Sequence, residues 1–225
     1  MLIERVSLRE ANAALTRGPH YLGPVTFRPR YSLAQFDDDM ALDIVALAVY
    51  SSPVASWFTK SLPRSLELAR LWQSESVDVP LSKFLAASLR WLRANARDAP
   101  CVFSYADPAV RDSRANARGH HRRHSGGVYV AANFVFLGET RADNVSYSWQ
   151  TETGERISGA RCYRLFGTRS RKKIAALRPD WRLIESEPRL LYCYPMALTV
   201  AQVIERIGGP GRHYQAIKSP PSPLD

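Results

Sequence analysis

The alternation of hydrophobic and polar residues along the chain predicts both strands and helices. Residues 41–50 (ALDIVALAVY) are almost continuously apolar, which is typical of a buried strand. Residues 65–73 (SLELARLWQ) alternate between apolar and polar side chains, which favours a second strand. In PLSKFLAASLRWLRANAR, leucine and phenylalanine recur every three or four residues, so an amphipathic helix is predicted there.

Shorter patterns predict the remaining elements. Ser7 and Glu10 have the spacing of a capping box, so a helix is expected over residues 7–16. The other predicted strands cover 101–105, 128–137, 181–186 and 189–194, and the other predicted helices cover 170–177 and 200–207. This order favours an α+β fold, with a mixed central sheet flanked by helices, over a repeating βαβ barrel.

Composition indicates the kind of partner and the compartment. The 225 residues carry a net charge of +10, which favours a polyanionic partner, with nucleic acid first and an anionic membrane surface second. Cys101, Cys162 and Cys193 lack CxxC spacing, which suits a reducing cytoplasm and argues against disulfides or a zinc site. Residues 1–16 lack the apolar core of a signal peptide, and no apolar run is long enough to span a bilayer.

Asp107 ends a predicted core strand in the sequence SYADP. Sites often form at the carboxyl edge of a sheet, although an Asp-Pro pair also begins ordinary turns. The segment GHHRRHSGG follows, and its histidines suggest either a metal site or a basic loop that contacts phosphates. The phosphate interpretation is favoured, because no acidic or cysteine partner stands at ligand spacing.

Two further segments contain candidate site residues. His20 and Tyr21 lie in PHYLGP, where they can act as acid, base or hydroxyl donor, or simply pack beneath a loop. The predicted helix start over residues 77–83 includes Ser82 and Lys83, and its free backbone amides can bind a phosphate of a cofactor. The chain contains neither GxGxxG nor GxxxxGK[ST], which disfavours an ordinary nucleotide-binding fold.

The order of several segments resembles a known family. The series is HYLG, ELARLW, PLSKFLAASLRWL, FSYADP, HSGGVYVAANFVFLG, GTRSRKKIAAL and RLLYCYP. From about Gly18 to Met196 the chain is similar to the Mom-type DNA-modification proteins of phages, a branch of the GCN5-related N-acetyltransferase-like fold. The resemblance implies conversion of adenine in DNA to its N6-carbamoylmethyl derivative, which protects phage DNA from host restriction.

The resemblance also implies roles for particular residues. The matching positions for catalysis are His20, Tyr21, Arg70, Asp107 and Tyr129. Asn133 and Ser104 are the expected substrate-binding residues. The chain lacks the R/Q-x-x-G-x-G/A pyrophosphate signature of ordinary members of the fold, so acetyl-CoA or a related acyl donor is left open as the cofactor.

Double-stranded DNA is the expected macromolecular partner, beside a small-molecule donor, in the cytoplasm of a bacterial host. A single catalytic domain is expected over residues 1–212, with a basic insert at 110–123 that departs from the family pattern and a flexible tail at 213–225. The residues expected to bind DNA are Arg111, Arg114, Arg118, Arg122, Arg123, His124, Arg169, Arg171 and Lys172. A flipped adenine can stack on Trp57, Phe58 or Trp72, although core packing is the simpler role for each.

Other functions are compatible with the same residues. An acyltransferase of this fold can act on an amine already built into a hypermodified pyrimidine of phage DNA. A non-catalytic DNA-binding accessory protein needs the basic segments but not Asp107. Acetylation of a protein or small molecule is less favoured, because it gives no reason for the positive charge.

Overall fold

The computed structural model of the protein describes residues 2–18, 23–37, 43–75, 77–107, 111–115, 121–123, 125–140, 147–185 and 188–208. The helices are α1 Leu8–Arg17, α2 Ser56–Ser61, α3 Leu81–Asn95, α4 Gly127–Ala131, α5 Gly159–Phe166, α6 Arg171–Leu177 and α7 Val200–Ile207. The strands are β1 Glu4–Arg5, β2 Tyr31–Phe36, β3 Ile44–Ser51, β4 Leu66–Gln73, β5 Cys101–Ala106, β6 Arg111–Ala115, β7 His121–Arg123, β8 Val135–Glu139, β9 Tyr147–Gln150, β10 Arg156–Ser158, β11 Arg182–Glu185 and β12 Leu190–Pro195.

The chain divides into two compact units. The first, called the sheet unit here, comprises Met1–Ala106, Ser125–Gly138 and Leu190–Asp225. The second unit comprises Asp107–His124 and Glu139–Arg189. The expectation of one catalytic domain over 1–212 with an insert and a tail stays a prediction.

The sheet unit is built on a seven-stranded mixed sheet. Its strand order is β1-β2-β3-β4-β5-β12-β8. Strands β4 and β5 are parallel, whereas β1–β2, β2–β3, β3–β4 and β5–β12 are antiparallel pairs. The expected α+β class with a mixed central sheet is therefore confirmed.

Helices cover both faces of this sheet. Successive strand residues face opposite sides, and apolar residues on each side pack against a helix layer. Leu33 packs in the cluster formed with α3 and α4, while the adjacent Ala34 packs in the cluster formed with α1. Helices α2 and α7 pack against β5 and β12 in a third cluster. Tyr50, fully buried beneath α3, shares a hydrogen bond of 2.6 Å between its hydroxyl and that of Ser88.

A bulge in β4 changes which side chains face each helix layer. Tyr50 pairs with Leu68 but Val49 pairs with Arg70, so Ala69 is an extra residue in the strand. Beyond the bulge, Arg70 faces the α1 side of the sheet, where its partner Val49 lies. A bulge of this kind bends a strand and increases its twist.

The parallel pairing of β4 with β5 is short. It comprises Leu66 with Val102 and Glu67 with Phe103. Residues 68–73 of β4 and 104–106 of β5 continue without pairing to one another. We call this region, where the pairing of β4 with β5 has ended, the strand gap.

The second unit has its own small core. Strands β10, β9 and β11 form an antiparallel sheet. Five buried residues pack together within this unit: Trp149, Ile157, Cys162, Ile174 and Trp181. Strands β6 and β7 form a separate antiparallel pair.

Several sequence predictions are confirmed and one is wrong. Helix α1 has the predicted capping box, because Ser7 and Glu10 exchange hydrogen bonds, and α3 and α7 lie where the periodicity placed them. The predicted strand over 128–137 is wrong, because the segment forms helix α4, a turn and the strand β8. Gly126 and Asn133 have positive φ angles of 81° and 66°, so the chain turns at both ends of α4 instead of extending.

Among the helices described, none has the length and apolar character needed to cross a bilayer.

Candidate active site and basic surfaces

Ser104 lies beside the strand gap, as the first residue of β5 beyond the parallel pairing. Its side chain is fully buried, and its hydroxyl has no hydrogen-bond partner among the residues the structure describes. Buried hydroxyl groups are normally paired, so an unpaired one calls for an explanation such as a catalytic role or a bound water or ion. Of the predicted substrate residues, Ser104 therefore has the environment that best fits a binding role.

Tyr129 comes close to the same strand from helix α4. It is 5% exposed, and its hydroxyl donates to the carbonyl oxygen of Tyr105 over 3.4 Å. Its ring lies 5.3 Å from that of Tyr192, the residue that pairs with Ser104 across β5 and β12. Two of the sequence-predicted residues, Ser104 and Tyr129, are thus brought together around one end of β5.

Tyr192 is a member of this cluster that the sequence did not single out. Its hydroxyl donates to the carbonyl oxygen of Ser125 over 2.6 Å. Burial raises the pKa of Tyr192 to about 12, so the phenol keeps its proton at neutral pH. The segment RLLYCYP marked the strand, but nothing in the pattern distinguished this tyrosine from its neighbours.

Packing explains why glycine stands at position 126 in the HSGG segment. A Cβ atom at this position would lie 2.4 Å from Cζ of Tyr192. The residue also has a φ of 81°, which disfavours any other amino acid. Gly126 therefore permits the close approach of Tyr192.

Arg70 lies on the other face of the sheet. Its guanidinium donates to the carbonyl oxygens of Gly23 (3.0 Å) and Ala69 (2.7 Å) and stands over the ring of Phe27. These contacts hold the segment before β2 against β4. Its predicted role beside the donor stays a prediction, and the structure does not place it on the face of Tyr129.

The first turn of α3 has no side-chain cap. Pro80 is the N-cap residue, and the backbone amide of Lys83 donates to its carbonyl oxygen over 2.8 Å. Ser82, which is half-buried, and Lys83, which is exposed, lie within the first turn after this N-cap. The amides at the start of a fifteen-residue helix are suited to an anionic group.

Asp107 follows β5 directly and belongs to the second unit. Its side chain is 18% exposed, and its Oδ2 lies 3.7 Å from Nε of Arg189. Arg189 is itself anchored, because its backbone amide donates to the hydroxyl of Thr140 over 2.9 Å. The carboxylate of Asp107 therefore has a cation beside it.

The second unit carries exposed cations interleaved with aromatic rings. Arg169 lies 5.5 Å from the ring of Tyr163, and Arg171 lies 4.8 Å from the ring of Tyr147. The hydroxyl of Tyr147 donates to the carbonyl oxygen of Arg169. We call these residues, with the exposed Lys172, the basic–aromatic surface; such a combination suits phosphates and bases.

Other predicted positions are described only in part. His20, Tyr21, Arg118 and His124 lie outside the described residues. Arg111, Arg114, Arg122 and Arg123 lie on β6 and β7, for which the backbone is described. Asn133 is exposed, in the turn after α4 rather than in the expected strand, and its positive φ accounts for asparagine there.

The candidate stacking residues have core contacts. Phe58 is buried with its ring 4.3 Å from that of Phe103. Trp57 donates its Nε1 hydrogen to the carbonyl oxygen of Ile207, and Trp72 packs against the α1 cluster. Packing therefore accounts for all three. Within the described ranges, no three His, Cys, Asp or Glu side chains gather as a metal site would need.

Comparison with solved structures finds similar proteins among acetyltransferases. The aminoglycoside 6'-N-acetyltransferase of Enterococcus faecium shares 11% identity over 87% of this chain and 97% of its own, with a TM-score of 0.45. The ribosomal-protein-S5-alanine acetyltransferase of Vibrio fischeri shares 10% over 86% and 92%, with a TM-score of 0.45. An aminoglycoside 6'-N-acetyltransferase solved with coenzyme A shares 10% over 87% and 97%, with a TM-score of 0.43.

The sequence itself identifies the family. The model of the Mom protein family matches residues 1–201, and the chain belongs to that family. No protein of curated function matches it by sequence.

Proposed function

We propose that the protein is a transferase that modifies the exocyclic N6 amine of adenine in double-stranded DNA, adding a carbamoylmethyl group. Its membership of the Mom family over residues 1–201 is the observation that carries this proposal. The modification would protect phage DNA from restriction in the cytoplasm of a bacterial host. The net charge of +10 and the basic–aromatic surface support a DNA substrate.

A small-molecule donor that carries the carbamoylmethyl group on a leaving group would bind in the strand gap of the sheet unit. An acyl donor of the acetyl-CoA class would give an N6-acyl product instead. The pairing of β4 with β5 ends at this gap, and the buried hydroxyl of Ser104 lies beside it. The uncapped start of α3 follows β4 in the chain and suits a phosphate of such a donor. Ser82 and Lys83 would contribute there.

The chemistry requires activation of a weak nucleophile. The lone pair of the N6 amine is delocalised into the adenine ring, so proton removal has to accompany bond formation. A carboxylate can accept that proton as nitrogen bonds to the electrophilic carbon of the donor and the leaving group departs with its electron pair. Asp107 is our candidate base, with Arg189 as the group that orients it.

The remaining roles follow from hydrogen-bonding capacity. Tyr129 and Tyr21 carry hydroxyl groups that would position the donor or protonate its leaving group. Arg70 and His20 are the other residues that match catalytic positions of the Mom family. Asn133 would contact the substrate. In a duplex the target base has to leave the stack, at a cost of a few kcal/mol, before any of these groups reaches it.

Co-expression with a plasmid, followed by digestion to nucleosides and mass spectrometry, tests the proposal. The expected product is a deoxyadenosine with a carbamoylmethyl-sized mass increment. Asp107→Asn is the matched inactive control, since it keeps the size of the side chain but removes the base. We expect a loss of product of at least about a hundredfold.

Other results would reject the proposal. An acyl increment on a modified pyrimidine would identify the second enzyme class instead. Unmodified DNA from folded wild-type protein, together with duplex binding that Asp107→Asn does not alter, would indicate a non-catalytic accessory protein.

A further inference from the structure

A separate basic cavity lies at the edge of the sheet where β1 and β2 pair. Its volume is about 510 Å³. The lining residues are Arg5, Val6, Ser7, Leu8, Arg28, Pro29, Arg30 and Ser32. Three of them are arginines and none is acidic, so the cavity has a concentrated positive charge.

Two of the arginines are held in place by the protein. The guanidinium of Arg5 lies 5.5 Å from the ring of Tyr31 and donates to the carbonyl oxygen of Arg30 over 3.3 Å. Arg30 donates in turn to the carbonyl oxygen of Arg64 over 3.2 Å. Because the acceptors of these two hydrogen bonds are neutral carbonyl oxygens, neither bond offsets the positive charge of its guanidinium group.

Arg28 is exposed, and no hydrogen bond or ion pair joins it to another residue in the described part of the chain. Its side chain is therefore available to a ligand. Helix α1 begins nearby, but Glu10 already accepts from the backbone amide of Ser7. The arginines, and not the helix start, supply the attraction for an anion.

Ser32 provides an independent indication of a ligand. It lines the same cavity, is 3% exposed, and its hydroxyl has no partner among the described residues. Burying an unpaired hydroxyl costs free energy, and a bound acceptor oxygen would remove that cost. A hydroxyl beside several guanidinium groups is a donor set typical of phosphate sites.

We propose that Arg5, Arg28, Arg30 and Ser32 bind a backbone phosphate of the DNA substrate, at a contact separate from the strand gap. The inference rests on the proposed function for its choice of DNA as the phosphate source. A cavity open at the edge of a sheet suits a polymer that continues beyond it. Phosphate contacts of this kind fix register without reading sequence.

The test is the salt dependence of binding to a fluorescein-labelled DNA duplex of mixed sequence, measured by fluorescence anisotropy between low and moderate NaCl. Each phosphate contact contributes about 0.9 to the slope of log K against log salt. Because the site binds one phosphate, Arg5→Ala with Arg28→Ala is expected to lower the slope by about 0.9, and Arg28→Ala alone by part of that amount. Ser32→Ala is expected to weaken binding roughly three- to tenfold.

Arg90→Ala is the matched control, because Arg90 is also exposed, lies on α3 and does not line the cavity. It removes the same charge and is expected to leave the slope unchanged. Thermal unfolding of every variant checks that the fold is retained. Wild-type slopes for both Arg28→Ala and Arg5→Ala with Arg28→Ala would overturn the proposal.

Product measured on plasmid DNA separates this inference from the proposed function. If Arg28→Ala raises the KM of a phosphate-bearing donor and leaves the DNA slope unchanged, the cavity binds the donor and the DNA proposal is wrong. Lower slopes in a protein that leaves adenine unmodified would support the phosphate site and reject the enzymatic function. Modified adenine together with unchanged slopes would support the enzymatic function and reject the phosphate site.

Discussion

At the scale of single residues, Ser104 has a buried hydroxyl with no hydrogen-bond partner among the described residues. Removing a buried hydroxyl that has no partner takes away a desolvation cost, so Ser104→Ala is expected to stabilise the fold by about 1 kcal/mol. If that hydroxyl binds the donor, the same change lowers the modification rate roughly tenfold. Urea unfolding and nucleoside analysis measure the two effects.

Ser88→Ala is the matched control for this prediction. The hydroxyl of Ser88 is bonded to Tyr50 and donates to the carbonyl oxygen of Leu85 over 2.8 Å. Its removal leaves buried partners unpaired and is expected to destabilise the protein by about 1–3 kcal/mol. Destabilisation by both variants would show that Ser104 is satisfied in solution and has no special role.

Tyr192 makes a pH-dependent contribution to stability. Burial raises its pKa from 10.0 to about 12, so between these pH values the unfolded chain loses a proton that the folded chain keeps. Its contribution is therefore fully present below pH 10 and is lost as the pH rises towards 12. The free energy of unfolding of the wild type should fall over this range.

The Tyr192→Phe variant checks this sign. It is expected to be less stable at neutral pH, because the hydrogen bond to Ser125 is gone, but to lose less stability between pH 8 and 11. Burial also raises the pKa of Tyr50, so part of the alkaline loss persists in the variant. Parallel alkaline curves for wild type and variant would contradict the assignment to Tyr192.

At the scale of secondary-structure elements, α4 depends on the conformation of its first residues. Gly126→Ala forces a side chain into a positive φ and against the ring of Tyr192, so we expect destabilisation by at least about 2 kcal/mol. Gly127→Ala is the neighbouring control, since no atom lies within 4 Å of its added Cβ. That variant is expected to be neutral or stabilising by up to about 1 kcal/mol. Urea unfolding compares the pair, and equal losses would contradict this account.

The same element shows what the sequence could and could not predict. Helices α1, α3 and α7 were predictable because each has an apolar period that matches one buried face. Residues 128–137 mislead because Val128, Val130 and Val135 favour a strand by propensity, whereas the positive φ angles at Gly126 and Asn133 decide the outcome. The strand β2 was not predicted, because YSLAQF is neither continuously apolar nor strictly alternating.

Part of the candidate site could be predicted from the sequence, namely the residues that lie within recognisable segments. Ser104 and Tyr129 were found because they fall within recognisable segments, and the structure brings both to one end of β5. Arg70 was expected beside them, but the bulge at Ala69 turns it to the opposite face. The cavity formed by Arg5, Arg28, Arg30 and Ser32 has no motif, because strand pairing brings its residues together.

At the scale of the whole molecule, the net charge of +10 sets the kind of partner but not the place of contact. Much of a diffuse positive charge acts through the long-range field, whereas cations that touch phosphates release counterions and so determine the salt slope. The basic–aromatic surface is a candidate for direct contact, because its rings hold the guanidinium groups of Arg169 and Arg171 in place.

The combined variant Arg169→Ala, Arg171→Ala and Lys172→Ala tests that contact. If all three side chains touch phosphates, the slope of log K against log salt falls by about three, and the loss of affinity is largest at low salt. Arg90→Ala again measures the effect of removing charge without contact. A combined variant that weakens binding yet keeps the wild-type slope would show that these residues act through the general field, and that the DNA lies against another surface. A lower slope together with retained modification of plasmid adenine would show that they strengthen binding without positioning the reacting base.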